Sequence, residues 1–139
     1  MEELSEMEMR ILSELIEDWE TIATIANTVT HRTGADEERA QIKVAVEKLV
    51  QADLVRLAKP PPAGARWEEM SKAGSLEVAA ELETYLQFDP ETKHWSNGGT
   101  PGPELSITDA GLERVHEIRD ERPERWWEEE DSETKETGN

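Results

Sequence analysis

Three histidines are the side chains of this sequence best suited to bind a metal or move a proton, and their spacing allots them neither task. His31, His94 and His116 fall in three separate segments. None has a second histidine four residues away, and none stands in a His-Glu-x-x-His arrangement, the spacing that sets two imidazoles on one face of a helix. Glu113 and Glu117 flank His116 and would make a weak set; an exposed or hydrogen-bonded imidazole is the plainer reading. Carboxylates are so frequent that no pair stands out for acid–base work. Gly98-Gly99 lies among Ser, Asn, Thr and Pro, not between a strand and a helix, so it reads as a turn and not as a phosphate loop. There is no nucleophile elbow. There is also no cysteine, which removes disulfides, thiolate metal sites and thiol nucleophiles. Neither an enzyme nor a cofactor nor a metal site is expected.

A different chemistry collects in one stretch. Arg32, Arg39, Gln41, Lys43 and Lys48 follow one another closely, and Lys93 stands apart beside His94. Guanidinium, ammonium and amide groups hydrogen-bond phosphates and base edges. Glu37, Glu38 and Glu47 share the same stretch, so a solvated face of mixed charge is the alternative.

Composition narrows the partners. The chain has 139 residues, 33 acidic and 15 basic, for a net charge of −18. Residues 104–139 alone carry −8. No overall field draws such a chain to nucleic acid or anionic lipid, so any nucleic-acid contact must come from a local basic patch. No apolar run approaches the ~20 residues of a membrane span. Met1-Glu2-Glu3 is the opposite of a basic secretory start, and a cytoplasmic location is expected. The acidity would also suit a salty cytoplasm. The length suits one domain.

The elements that must position these residues can be read from caps and apolar spacing. Ser5-Glu6-Met7-Glu8 reads as a capping box, and Ile11, Leu12, Leu15, Ile16 and Trp19 follow at helical spacing, with Trp19 in the core. Asp18 or Thr21 caps a second helix bearing Ile22, Ile25, Ala26 and Val29. His31 to Gly34 makes a turn. Asp36 is the expected N-cap of a third helix that buries Ile42, Val46 and Leu49. Leu54 to Leu57 reads as a strand, ended by Pro60-Pro61-Pro62. Ser75 is expected to cap a helix with Leu76, Ala79, Leu82 and Leu86 on one side. Tyr85–Phe88, the turn Asp89-Pro90-Glu91-Thr92, and Lys93–Trp95 have the form of a hairpin. Ser96 to Pro103 is a Gly- and Pro-rich loop, Glu104 to Ile107 a strand, and Thr108 the cap of a last helix ended or kinked by Pro123. Residues 124–139 read as an acidic tail, too polar to pack and disordered.

Two of these segments carry a resemblance. Leu49-Val50-Gln51-Ala52-Asp53-Leu54-Val55 is similar to the pattern that ends the third helix of winged helix-turn-helix regulators of the MarR and PadR kind, with Asp53 where those families carry glycine. Ile107-Thr108-Asp109-Ala110-Gly111 matches their later Thr-x-x-Gly turn. Together the likeness covers residues 8–58 and 104–120, about half the chain. It implies an α+β, mainly α, winged helix-turn-helix over residues 1–123, with residues 60–103 as a long insertion between the two wing strands.

The resemblance also implies a role. The third helix would enter the major groove of double-stranded DNA. Gln41 would pair with adenine, Arg39 or Lys43 would meet guanine or phosphate, and Lys48, Arg32 and, from the hairpin, Lys93 would add contacts. The chain would then be a sequence-specific transcriptional regulator. Regulators of this kind dimerise through terminal helices, so a homodimer is expected. Trp126-Trp127 could anchor that dimer or another partner surface, or else pack back on the first helix. The alternative is a winged-helix interaction module whose acidic surface meets a basic protein partner without DNA.

Overall fold

The first helix, α1 (Glu6–Ser13), forms where its cap dictates. The Ser5 Oγ accepts the Glu8 N–H and the Glu8 carboxylate accepts the Ser5 N–H, both at 3.2 Å. In this computed structural model the described residues are 4–16, 19–59, 68–97 and 102–128. α1 is shorter than its apolar run. Glu14 and Leu15 already turn back to the carbonyls of Ile11 and Leu12, which tightens the last turn and ends the helix. Trp19 therefore lies beyond the helix and is half-buried, not a core residue at its end.

A short strand, β1 (Glu20–Thr21), leads into α2 (Ile22–Val29), capped by Thr21. Helix α3 (Asp36–Gln51) follows the turn Thr30–Ala35. Asp36 is not its N-cap: Ala35 holds that place without a side-chain bond, and Asp36 is the first helical residue. The orphan N–H groups ahead of the helix go to Glu38 instead, as described below. The remaining elements are β2 (Val55–Lys59), β3 (Glu68–Glu69), α4 (Lys72–Ala80), a 3₁₀ turn (Leu82–Tyr85), β4 (Gln87–Asp89), β5 (His94–Ser96), β6 (Glu104–Ile107) and α5 (Asp109–Glu121). The chain is thus α+β, mainly α. β2 and β6 pair antiparallel with Val55 opposite Ile107. With β1 and β3 outside them the order is β1-β6-β2-β3, while β4 and β5 form a separate hairpin. One core joins α1, α2, α3 and the sheet through Ile11, Leu12, Ile25, Ile42, Leu49 and Leu57, each 0–1% exposed. Each such side chain contributes about 1.5–3 kcal/mol by leaving water.

The two segments that carried the resemblance meet in one knot. α3 ends in a Schellman motif: Leu54 N–H bonds the Leu49 carbonyl and Asp53 N–H the Val50 carbonyl, both at 3.0 Å. Asp53 stands in the left-handed region at φ 63°, which explains why a glycine suits this place and why Asp, which tolerates that region, can replace it. The Asp53 carboxyl is held below the ordinary 3.8 by hydrogen bonds from Arg56 and then Lys72. Its stabilising effect is therefore present at neutral pH and lost on acidification below that value. The Thr108 hydroxyl donates to the Asp53 carbonyl at 2.7 Å and accepts the Gly111 N–H at 3.0 Å. The Thr108 N–H bonds the Leu54 carbonyl. A Cβ at Gly111 would run into that same carbonyl oxygen.

The insertion folds back as a brace. α4 starts one turn earlier than its sequence suggests, with Ser71 as N-cap. Ser75 lies inside α4 and not at its start; it is fully buried, and its Oγ accepts the Leu57 N–H of β2 at 3.0 Å. At the C-terminus, residues 124–128 are not part of a loose tail, and residues 129–139 lie outside the described residues. Trp126 and Trp127, expected at a dimer or partner surface, are instead 4% and 2% exposed. Their rings meet edge to face at 4.9 Å. The Trp126 Nε1–H donates to Glu6 and the Trp127 Nε1–H to the Thr28 carbonyl, each at 3.0 Å. Arg10 lies over Trp127 and Arg122 over Trp126. With their faces, edges and N–H groups used inside the chain, neither indole is left for a partner.

Two stability outcomes follow from these contacts. Gly111→Ala, which in an open helix would be favourable, costs about 1–3 kcal/mol here through overpacking against Leu54; a lowered urea midpoint with unchanged slope checks it. Trp126→Ala costs about 3–5 kcal/mol and leaves the sedimentation-derived mass unchanged. A change of mass without loss of stability would restore the partner-surface reading.

Candidate nucleic-acid interface

The helix–turn–helix of α2 and α3 is built around one carboxylate. Glu38 reaches back from the first turn of α3 and accepts the N–H groups of Thr33 (2.9 Å), His31 (3.1 Å) and Gly34 (3.2 Å). Its charge is spent on shaping the turn. Thr30 adds a second clamp, donating to the Ala26 carbonyl and accepting the Arg32 N–H. The turn carries two left-handed residues, Gly34 at φ 78° and Arg32 at φ 55°.

The β4–β5 hairpin docks on this turn. Asn27 of α2 grips the Trp95 backbone from both sides, its Nδ2 donating to the carbonyl (2.9 Å) and its Oδ1 accepting the N–H (2.6 Å). Phe88 lies against Gly34 so closely that a Cβ there would enter its ring. Phe88 also meets Trp95 edge to face at 5.2 Å. Glycine is thus required at 34 by the positive φ and by the ring together. The docked hairpin brings His94 Nε2 within 3.1 Å of Arg32 Nη1. Lys93, next to it, is exposed in a left-handed conformation at φ 57°.

The expected contact residues separate into three groups. The hairpin sets His94, the neighbour of Lys93, against Arg32. Gln41 and Lys48 share the outward face of α3 with Glu37, Ala40 and Val44, all exposed. That face forms one wall of a groove of about 590 Å³ against α1, floored by Met7, Ala40 and Ala45. Arg39 and Lys43 are only half-exposed. Arg39 is a strut, donating to the Leu86 carbonyl and to Asp36 of its own helix. Lys43 pairs with Glu47 at 3.5 Å. Gln41 also has a carboxylate neighbour, its Nε2 donating to Glu37 at 3.4 Å. The six expected residues therefore do not form one basic strip along α3.

What the fold does bring together is Arg32 and His94, each next in sequence to a further exposed side chain, His31 and Lys93, on a chain of net charge −18. The chain matches no protein-family model, no curated protein and no solved structure. The patch itself must carry the functional reading. Its histidines have no metal-ligand spacing in sequence, and their part here comes from the two cations beside them. The signal that points to them is the pair of dipeptides His31-Arg32 and Lys93-His94, one in the turn and one in the hairpin. No cluster of three or more His, Asp or Glu fit to hold a metal occurs among the described residues, and no helix among them is long and apolar enough to cross a membrane.

Removing the grip of Asn27 tests the docking. Asn27→Ala loses both bonds to Trp95 and leaves its N–H and carbonyl unpaired, at a cost of about 1–3 kcal/mol. Amide exchange in β4 and β5 should accelerate well beyond that in β2 and β6, because only the hairpin depends on this contact.

Proposed function

We propose that this chain is a winged helix-turn-helix domain that binds double-stranded DNA as a sequence-specific transcriptional regulator. Three helices followed by paired strands β2 and β6, with β1 on the far side of β6, is the arrangement that name describes, and residues 60–103 are the long insertion between the wing strands. The observation that carries the function is the meeting of Arg32 and His94, from segments 62 residues apart, with Lys93 next to His94 and Arg32 in the turn that leads into α3. A strongly acidic chain needs such a local patch to hold phosphates. Both cations stand in left-handed backbone, which costs roughly 1–2 kcal/mol per non-glycine residue.

In this reading the patch holds the DNA backbone and α3 reads bases. Gln41 offers a bidentate amide for adenine, Ala40 and Val44 offer apolar contact for thymine methyls, and Lys48 reaches a phosphate. Arg39 and Lys43 shape the helix and its bracing and do not read bases. The carboxylates nearby keep non-specific affinity low, so preference rests on a few contacts.

A second reading has its own support. Val44, 49% exposed, is the one large apolar side chain exposed among the described residues, and it sits in the α1–α3 groove. The groove is lined by the carboxylates of Glu6, Glu8 and Glu37 against the two cations Arg10 and Lys48, so its charge is net acidic. These features suit an interaction module for a basic protein segment.

DNA binding separates the two readings. With the duplex upstream of the chain's own coding sequence, Gln41→Ala should cost about 1–3 kcal/mol and relax the preference over a scrambled duplex. Lys93→Ala and Lys48→Ala should weaken both duplexes alike and each reduce the slope of log K against log salt by about one. No binding to either duplex at low salt overturns the proposal and moves the search to protein partners of the groove.

A further inference from the structure

The contact between Arg32 and His94 has only one possible donor. A guanidinium has N–H groups and no acceptor, so at 3.1 Å the Arg32 Nη1 donates and the His94 Nε2 accepts. The ring proton then belongs on Nδ1, and Nδ1 lies 2.7 Å from the Thr92 carbonyl, an acceptor only. Both contacts require the same state, a neutral imidazole protonated at Nδ1. A second proton would have to go to Nε2. It would remove the lone pair that holds Arg32 and set two positive charges face to face.

We infer that His94 is a positioning residue for Arg32, and that its protonation frees Arg32 and adds a charge, strengthening the grip on a DNA phosphate as pH falls. This rests on the DNA-binding reading above. Imidazoles exchange their proton in the range of about pH 5 to 8. Uptake of the proton turns a patch with two fixed cations, one of them tied to a neighbour, into one with three cations facing solvent.

The surroundings permit the change. Asp89 stands opposite His94 in the hairpin register, and its Oδ1 accepts the Glu91 N–H. The cations on either side are Arg32, which the ring holds, and Lys93, its neighbour in sequence. In the turn, His31 stands next to Arg32 in sequence, and the Glu38 carboxylate is bound by three backbone N–H groups. α2, which holds the hairpin through Asn27, contributes no charged side chain. His94 is exposed, so the imidazolium is hydrated and the hairpin need not undock. The grip on Trp95 and the packing of Phe88 on Gly34 do not involve the ring.

The test compares duplex binding at about pH 5.5 and about pH 8 for the native chain, His94→Gln and His94→Lys. Glutamine retains an acceptor for Arg32 and takes no proton; lysine carries a fixed charge and holds nothing. The native chain should bind about threefold to tenfold more tightly at the lower pH, with one more counterion released. His94→Gln should show only the small rise common to any acidic chain as its carboxylates begin to protonate, and His94→Lys should bind tightly at both. An equal rise in the native chain and His94→Gln overturns the inference and assigns the effect to His31 or to overall charge. A readout without DNA decides it separately: nitrogen NMR at pH 8 should find His94 protonated at Nδ1 and bare at Nε2. The reverse tautomer overturns the gate. If no form of the chain binds DNA, the functional reading falls, and the NMR result alone decides whether His94 holds Arg32.

Discussion

The junction between the end of α3 and the start of α5 is the constraint on which the rest of the structure depends. A helix that ends inside a small domain leaves carbonyls to satisfy and a direction to fix. Here the Schellman turn at Asp53 satisfies the carbonyls, and Thr108 takes the next two, those of Asp53 and Leu54. Gly111 lets the start of α5 approach the Leu54 backbone because it has no side chain to stand between them. The geometry of this knot sets where β2 begins, hence its register with β6, and hence how α3 lies across the sheet. An interface on α3 is only as well placed as this junction makes it.

The insertion between β2 and β6 works in the same sense. Its α4 supplies Ser75 to a sheet N–H, its 3₁₀ turn leads to the Leu86 carbonyl that receives Arg39, and its hairpin clasps the turn between α2 and α3. Three separate contacts thus stiffen α3 and the segment before it. The acidic residues of α3 fall into the same plan. Asp36 and Glu47 pair with cations on their own helix, and Glu38 organises the turn. Such exposed pairs add little stability, but they withdraw Arg39 and Lys43 from any role as free charges.

What could be read from the sequence was mostly local. The caps at Ser5, Thr21 and Thr108 are decided within four residues, so residue type suffices. The strand at 104–107 and the hairpin turn at 89–92 are equally self-contained. Ser71 and Ser75 show the limit. Either could cap α4, and Ser75 is instead taken by a β2 amide 18 residues away. Asp36 also differs from its expected place: the helix begins one residue earlier, and its carboxylate pairs with Arg39. Of the candidate interface, the positions of Gln41 and Lys48 on an exposed helix face followed from periodicity. The pairing of Arg39 and Lys43 within α3 was also within reach, at i−3 and i+4 spacing. The convergence of Arg32 with His94 was not, because it is made by Asn27 and Trp95 across 68 residues. The burial of Trp126 and Trp127 likewise depends on Glu6 and Thr28, at the other end of the chain.

That last closure has a consequence for how the protein comes to be. The two final carbonyls of α2 are taken from afar: Thr28 by the Trp127 indole, 99 residues downstream, and Val29 by Arg10, which stacks on that same indole. Trp126 meanwhile ties to Glu6 across 120 residues. Contacts this distant in sequence form late, since the loop they close must be ordered first. During synthesis the segment from α1 to β2 leaves the ribosome long before its last clasp has been made. The turn before α3 has its own local bonds from Glu38 and Thr30, but the end of α2 that leads into it gains this partner only with residue 127, so a chain interrupted before that point leaves the Thr28 carbonyl without the indole that caps it.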